Sequence, residues 1–262
     1  MNFRFKVGHG KAIIDPSYYR SLELKEDKVL HEKIILAFHP LLFTRAKAML
    51  EDVKVVRLSG WLFKSFAGVY RGSKIVVALP FPGSPAAVAA LEVLTTMGGR
   101  VFVVVGRVGA IHPELNIGDV LIPTWGLREE GASFHYIPDQ GYMPTPDMGL
   151  AEALYRQATA LAKKRRINIV KGGVWTTDAI FRETLDKVIE YSQKGVYGVD
   201  MESTALMTVA RYRDVKLAII SSVSDKLQHE GRWVKGFQSR RLRTTEKLVV
   251  QATLNAIIEF ES

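Results

Sequence analysis

Short apolar runs alternate with stretches of helical periodicity along most of this chain, and that alternation limits the fold more than any other feature. The runs are KIILAF (33–38), VKVVRL (53–58), KIVVALP (74–80), RVFVVVG (100–106), DVLIPT (119–124), INIVKGGVW (167–175) and VKLAIISSVS (215–224). Helical spacing appears at 84–98, 148–164, 183–193, 202–213 and 239–260. Strands that are apolar throughout are those covered on both faces, and a helix between successive strands returns the chain for parallel pairing. The pattern predicts an α/β fold: a single-domain α/β sandwich with a mixed, largely parallel central sheet flanked by helices. With 262 residues, 47% of them hydrophobic, the chain can bury one large core. Residues 1–30 show neither period and are expected to form an N-terminal arm, with 31–262 as the domain.

Several classes of function are set aside by what the chain lacks. No apolar run approaches the ~20 residues of a membrane span, and the N-terminus has no signal-peptide pattern, so a soluble, cytoplasmic protein is expected. With no cysteine there is neither disulfide nor thiolate chemistry. The six histidines are scattered without metal-ligand spacing, and no metal or organic cofactor is expected. The phosphate-cradling, dinucleotide, zinc-protease and nucleophile-elbow motifs are missing. The formal charge of +9 would suit a polyanion. Its dense clusters, KKRR (163–166) and SRRLRTTEK (239–247), lie on helical stretches without interleaved aromatics. They read as solvated helix faces, so no nucleic-acid partner is expected.

Ligands in α/β sheets bind beyond the carboxyl ends of the strands. Polar segments occupy those ends: PFPGSPAA, GRVGAIHPELNIGD, TTDAIFRET and SDK. A further segment, GVDMES (198–203), sets Asp200 and Glu202 on either side of Met201 where an apolar strand runs into a helix.

In order, GSPAA, GRVGAIHPELNIGDVLIP, REEGASFHYIP, TTDAIFRET, GVDMESTAL and SVSDK resemble the nucleoside phosphorylase family, which includes purine nucleoside phosphorylases, uridine phosphorylases and related nucleosidases. The resemblance covers about residues 33–260. It implies that Glu202 accepts hydrogen bonds from the ribose hydroxyls, with Met201 packed on the sugar and Asp200 as the preceding acid. An ionised carboxylate offers two acceptor oxygens to a vicinal diol, and such charge-assisted bonds are strong. The plainer alternative is that Asp200 or Glu202 caps the following helix. The resemblance makes Asp225 the catalytic general acid for a departing purine, which asks for a proton held at working pH; a turn residue is the plainer reading. Ile180 and Phe181 become base-packing residues with Arg182 beside them, and the missing Gln and Arg of uridine phosphorylases lean the choice to purines. REEGASFHYIP and Arg182 are left open between substrate binding and loop packing.

The phosphate-binding segments depart from the family pattern. Phe38 stands where a Gly is expected, and Arg45 is displaced by extra residues. Trp61 falls where a neighbouring subunit would lend an Arg, with Lys64 as the substitute; Val104 replaces a strand Arg, and Arg107 replaces a hydroxyl residue. Arg107 and Gly109 are therefore expected in a Gly-bracketed anion loop. Phosphorolysis to free base and ribose 1-phosphate, with inorganic phosphate as co-substrate, is the leading expectation. Hydrolysis by a nucleosidase and non-catalytic nucleoside binding are the alternatives. The family also implies a homo-oligomer, a dimer or trimer of dimers, to which the arm with His9 and His31 would contribute.

Overall fold

Ile34, Ile35, Leu36 and Ala37 are all buried, alternate members facing opposite layers of helices. The computed structural model describes residues 8, 12–18, 31–56, 62–163 and 165–260. Among these, the order is β1 (Lys33–Ala37), α1 (Pro40–Lys47), β2 (Glu51–Val55), β3 (Phe63–Tyr70), β4 (Ser73–Pro80), α2 (Ser84–Thr96), β5 (Val101–Ala110), β6 (Val120–Glu129), α3 (Met148–Ala162), β7 (Ile169–Thr177), α4 (Leu185–Gln193), β8 (Val196–Asp200), α5 (Ser203–Tyr212), β9 (Lys216–Leu227), β10 (Trp233–Lys235) and α6 (Arg240–Glu259).

The strands form one mixed sheet in the order β10-β9-β6-β7-β8-β5-β1-β4-β3-β2, with an additional β9–β5 pairing. That extra pairing closes β5, β9, β6, β7 and β8 into a ring. Closure depends on the two long strands. β5 runs parallel to β9 along its length, and its last residues turn to pair antiparallel with β8 through Gly109–Val199 and Ala110–Gly198. β9 likewise meets β6 through Ser221–Leu121 and Ser222–Val120.

Period-two alternation in β5 divides the core. Phe102, Val104 and Val108 face α2 and α5, whereas Val101, Val103 and Val105 face α1, α3 and α6. Both layers are apolar, which is why the strand shows no polar face in the sequence. No helix among the described residues is long and apolar enough to cross a membrane.

All five expected helices are present, with ends within two residues of those read from periodicity. The expected strands correspond to β1, β2, β4, β5, β6, β7 and β9, although residues 57–58 of the second lie outside the described residues. Helix α1 is not among the expected elements, its segment AFHPLLFTRA carrying a proline. Pro40 sits in the first turn, where no N–H is needed, and the His39 ring accepts the Leu41 N–H at 3.1 Å as a cap. Strand β3 was also missed, its apolar residues being interrupted by Lys64, Ser65 and Gly68. β5 continues four residues past its expected end, so Arg107 and Gly109 lie in a strand. The expected anion loop is not there; its amides and carbonyls belong to the ladder with β9 and β8.

Candidate active site

β8 delivers Asp200 to the N-terminus of α5, and Asp200 is occupied within its own chain. Its Oδ1 accepts the Thr176 hydroxyl of β7 (2.8 Å) and the backbone N–H groups of Ser203 (3.2 Å) and Glu202 (3.3 Å), while Oδ2 takes the Ser203 hydroxyl. The helix-capping reading therefore describes what Asp200 does in this structure. Burial pushes its carboxyl up, against the pull of these hydrogen bonds.

Glu202 is held differently. Its Oε1 accepts the Gly83 N–H at 2.6 Å, and Ser84 Oγ donates to the Met201 carbonyl at 2.7 Å. The loop after β4 is thus fastened to the Met201–Glu202 pair. Gly83 has φ +98°, a conformation open to glycine and strained for other residues, and it starts α2. Desolvation, then the charge of Asp200, raises Glu202 to about 7, opposed by the N–H groups of Gly83 and Met201; Asp178 adds a smaller upward push.

Asp225 lies within β9 rather than after it. Ser224 Oγ donates to Oδ1 at 2.6 Å and Trp233 Nε1, from β10, to Oδ2 at 2.8 Å. Its register partner on β5 is Gly109, where an added Cβ would stand 3.1 Å from Leu227, 3.3 Å from Asp225 Oδ2 and 3.3 Å from Val199. A side chain there would press on β8 and β9 together, so glycine permits their close approach.

Sequence reasoning missed Glu183. Burial, and then the charge of Asp225, pushes its carboxyl to about 7. Asp178, at one end of this segment, helps raise Glu202, and Glu183, at the other, is raised by Asp225. The short helix Ile180–Arg182 lies between Asp178 and Glu183 in the chain. Phe181 on it is 97% exposed and Ile180 49%, free to pack against a ligand. A carboxylate two residues beyond the apolar pair Ile180–Phe181 was the available signal.

Arg128 holds the segment REEGASFHYIP together. Its guanidinium donates to Ser133 Oγ (2.8 Å) and to the carbonyls of Asp139 (2.9 Å) and Ile137 (2.7 Å), closing its own loop. Arg128 thus packs the segment onto itself.

The arginines expected at phosphate meet a second residue that sequence reasoning missed. Arg107 Nε and Nη2 both donate to Glu246 Oε1 (2.9 and 2.6 Å), and Arg45 from α1 approaches Glu246 Oε2 at 3.6 Å. Phe38 and Val104 pack into the core instead. Lys64 is exposed on β3 and makes no ion pair among the described residues. His31 lies beside Lys74, at the start of β4 and away from the carboxyl ends that carry the acids. His9, Trp61 and most of 1–30 are outside the described residues. Among the described residues no group of three or more acidic or His side chains is placed to hold a metal ion.

The family model of the phosphorylase superfamily matches residues 34–255. The chain belongs to that superfamily. This phosphorylase-superfamily protein is 28% identical over 244 residues to a DeoD-type purine nucleoside phosphorylase of Bacillus cereus strain B4264, covering 91% of this chain and 94% of the relative. A DeoD-type purine nucleoside phosphorylase of Bacillus cytotoxicus is 29% identical over 212 residues, covering 79% and 86%. Among solved structures, a uridine phosphorylase from Vibrio fischeri ES114 superposes with TM-score 0.75 at 22% identity, covering 88% of this chain and 93% of that one. A purine nucleoside phosphorylase from Toxoplasma gondii in complex with immucillin-H gives TM-score 0.75, also at 22% identity, covering 88% and 92%. The superfamily fold, a mixed sheet with flanking helices, is the one found here.

Proposed function

We propose that this protein cleaves the N-glycosidic bond of ribonucleosides by phosphorolysis, giving free base and ribose 1-phosphate, with purine nucleosides favoured over uridine. The observation that supports it is the junction on β5. Gly109 pairs with Val199, next to Asp200, and with Asp225, so the acids assigned to ribose and to base flank one glycine.

The chemistry suits that junction. As the bond from C1′ to the base nitrogen breaks, positive charge grows on the ribosyl ring and negative charge on the base. Glu202 and Met201 hold the ribose, with Asp200 positioning them through the α5 cap. The base takes a proton from the Asp225 side, where Glu183, at about 7, retains one at neutral pH in a substantial share of molecules. Ile180, Phe181 and Arg182 contact the base. A phosphate oxygen bonds to C1′, steered by Arg107, two residues from Gly109 on β5, and by Arg45, with Lys64 offered to a neighbouring subunit. Phosphate is co-substrate and no cofactor is called for. The relatives' names divide between purine and uridine; Asp225 and the missing Gln–Arg pair favour purine.

The reading includes a homo-oligomer formed with the 1–30 arm, in which Ile13 and Ile14 are 101% and 79% exposed, and 31–262 as one domain. Hydrolysis is the second reading, favoured by one observation: Glu246 already pairs with the arginines that phosphate would need. Purine and pyrimidine nucleosides incubated with and without phosphate, following base release, test the proposal. Phosphate-dependent release from inosine or adenosine is expected. Equal release in phosphate-free buffer selects hydrolysis, and binding without release selects a nucleoside-binding protein.

A further inference from the structure

Arg45, Arg107 and Glu246 come from α1, β5 and α6 and meet on the α6 side of the sheet. Two guanidinium charges face one carboxylate there, so one positive charge is left over. The match is also geometrically incomplete. Glu246 has no exposed surface, yet its Oε2 has no hydrogen-bond donor among the described residues, and Arg45 lies beyond hydrogen-bond distance of it at 3.6 Å. Arg45 Nε and Nη1 are buried without an acceptor there. Buried donors in this condition are rare and costly in folded proteins. His39, at the start of α1, is close enough to feel both Arg107 and Glu246. Arg107 lies two residues from Gly109 on the same strand, and therefore about 7 Å from the junction of the acids.

We propose that Glu246 is an internal competitor for the acceptor anion: its carboxylate and inorganic phosphate contend for the Arg107 guanidinium, and the unmatched donors of Arg45 complete the phosphate site only when Glu246 withdraws. That the anion is phosphate rests on the phosphorolytic reading; the competition rests on the geometry of the three side chains. A dianion brought against the paired arginine would face a like charge in the interior, where such repulsion is strong. Apparent affinity is then the intrinsic affinity scaled by the fraction of molecules in which Glu246 has let go. Two charge-assisted bonds to one oxygen keep that fraction small. Glu246 thereby sets how far the site prefers a neutral acceptor to an anionic one.

The test is phosphate binding to the full chain without nucleoside, by titration calorimetry, for the wild type and Glu246→Gln. The amide keeps an acceptor for Arg107 and removes the charge. Binding tighter by about tenfold or more is expected in the variant, with a parallel fall in phosphate KM. Unchanged, weaker or absent binding in folded Glu246→Gln overturns the proposal. Should the variant not fold, the Arg107 Nε–H resonance of the wild type carries the test. It should move with phosphate occupancy, and phosphate that binds while it stays in place overturns the competition. A chain that shows the competition but releases no base removes the phosphorolytic reading alone. Phosphate-dependent base release with binding indifferent to Glu246 removes the competition alone.

Discussion

Glu202 accepts the backbone N–H of Gly83 at 2.6 Å across 119 residues of sequence. This bond fastens the acid at the start of α5 to the loop that starts α2, and under the proposed function it fixes where a ribose hydroxyl would find its acceptor.

Glu202→Gln should keep that bond through its amide oxygen while losing the ionised acceptor. We expect kcat/KM on ribonucleosides to fall by ~2–3 kcal/mol of transition-state stabilisation, with a smaller loss on 2′-deoxy analogues. Equal losses, or a fall in Tm large enough to explain them, would assign Glu202 to helix structure instead.

Glu202 and Glu183 are both raised from the ordinary 4.5 to about 7. The folded chain then binds more protons than the unfolded chain between those values, so their contribution to stability is complete below about 4.5 and is lost as pH rises through about 7. Thermal melts should show Tm declining over that window, and the Glu202→Gln/Glu183→Gln double variant should decline less. Activity runs the other way for Glu202: kcat/KM should rise with pH near 7 as it ionises, and this limb should vanish in Glu202→Gln.

Asp225→Asn should impair natural purine nucleosides severely and spare substrates whose base departs without a proton. The same substitution removes the charge that helps raise Glu183. Carbon-13 NMR should find the Glu183 carboxyl titrating below about 7 in the variant, yet above 4.5 because burial persists. An unmoved Glu183 would separate the two acids.

Arg107→Ala should lower stability by about 3 kcal/mol, since it strands a buried carboxylate. Adding Glu246→Gln should recover much of that loss, measured as Tm in a double-mutant cycle. Strictly additive changes would show that the pair seen at 2.6 Å does not couple energetically.

Arg107 also shows where reading the chain runs out. GRVGA reads as a loop because glycine normally interrupts a strand. Gly109 instead stays in β5, since β8 and β9 must approach it closely. Pro40 misled similarly, being harmless in the first turn of α1.

By itself the sequence determined what local order can express: apolar runs for the strands, a helical period for five helices, and the VDMES and SVSDK segments that identify the acids. Those are properties of residues within one or two turns of each other, set by side-chain periodicity and capping. Only the tertiary structure decided the partners. Asp200 meets Thr176, Glu202 meets Gly83, Glu183 feels Asp225, and Arg107 finds Glu246, a separation of 139 residues. Each of these depends on how distant elements pack and on burial, which raises carboxyl pKa values and leaves an arginine needing a counter-charge. Desolvation is a property of the packed whole, and no local pattern of residues encodes it.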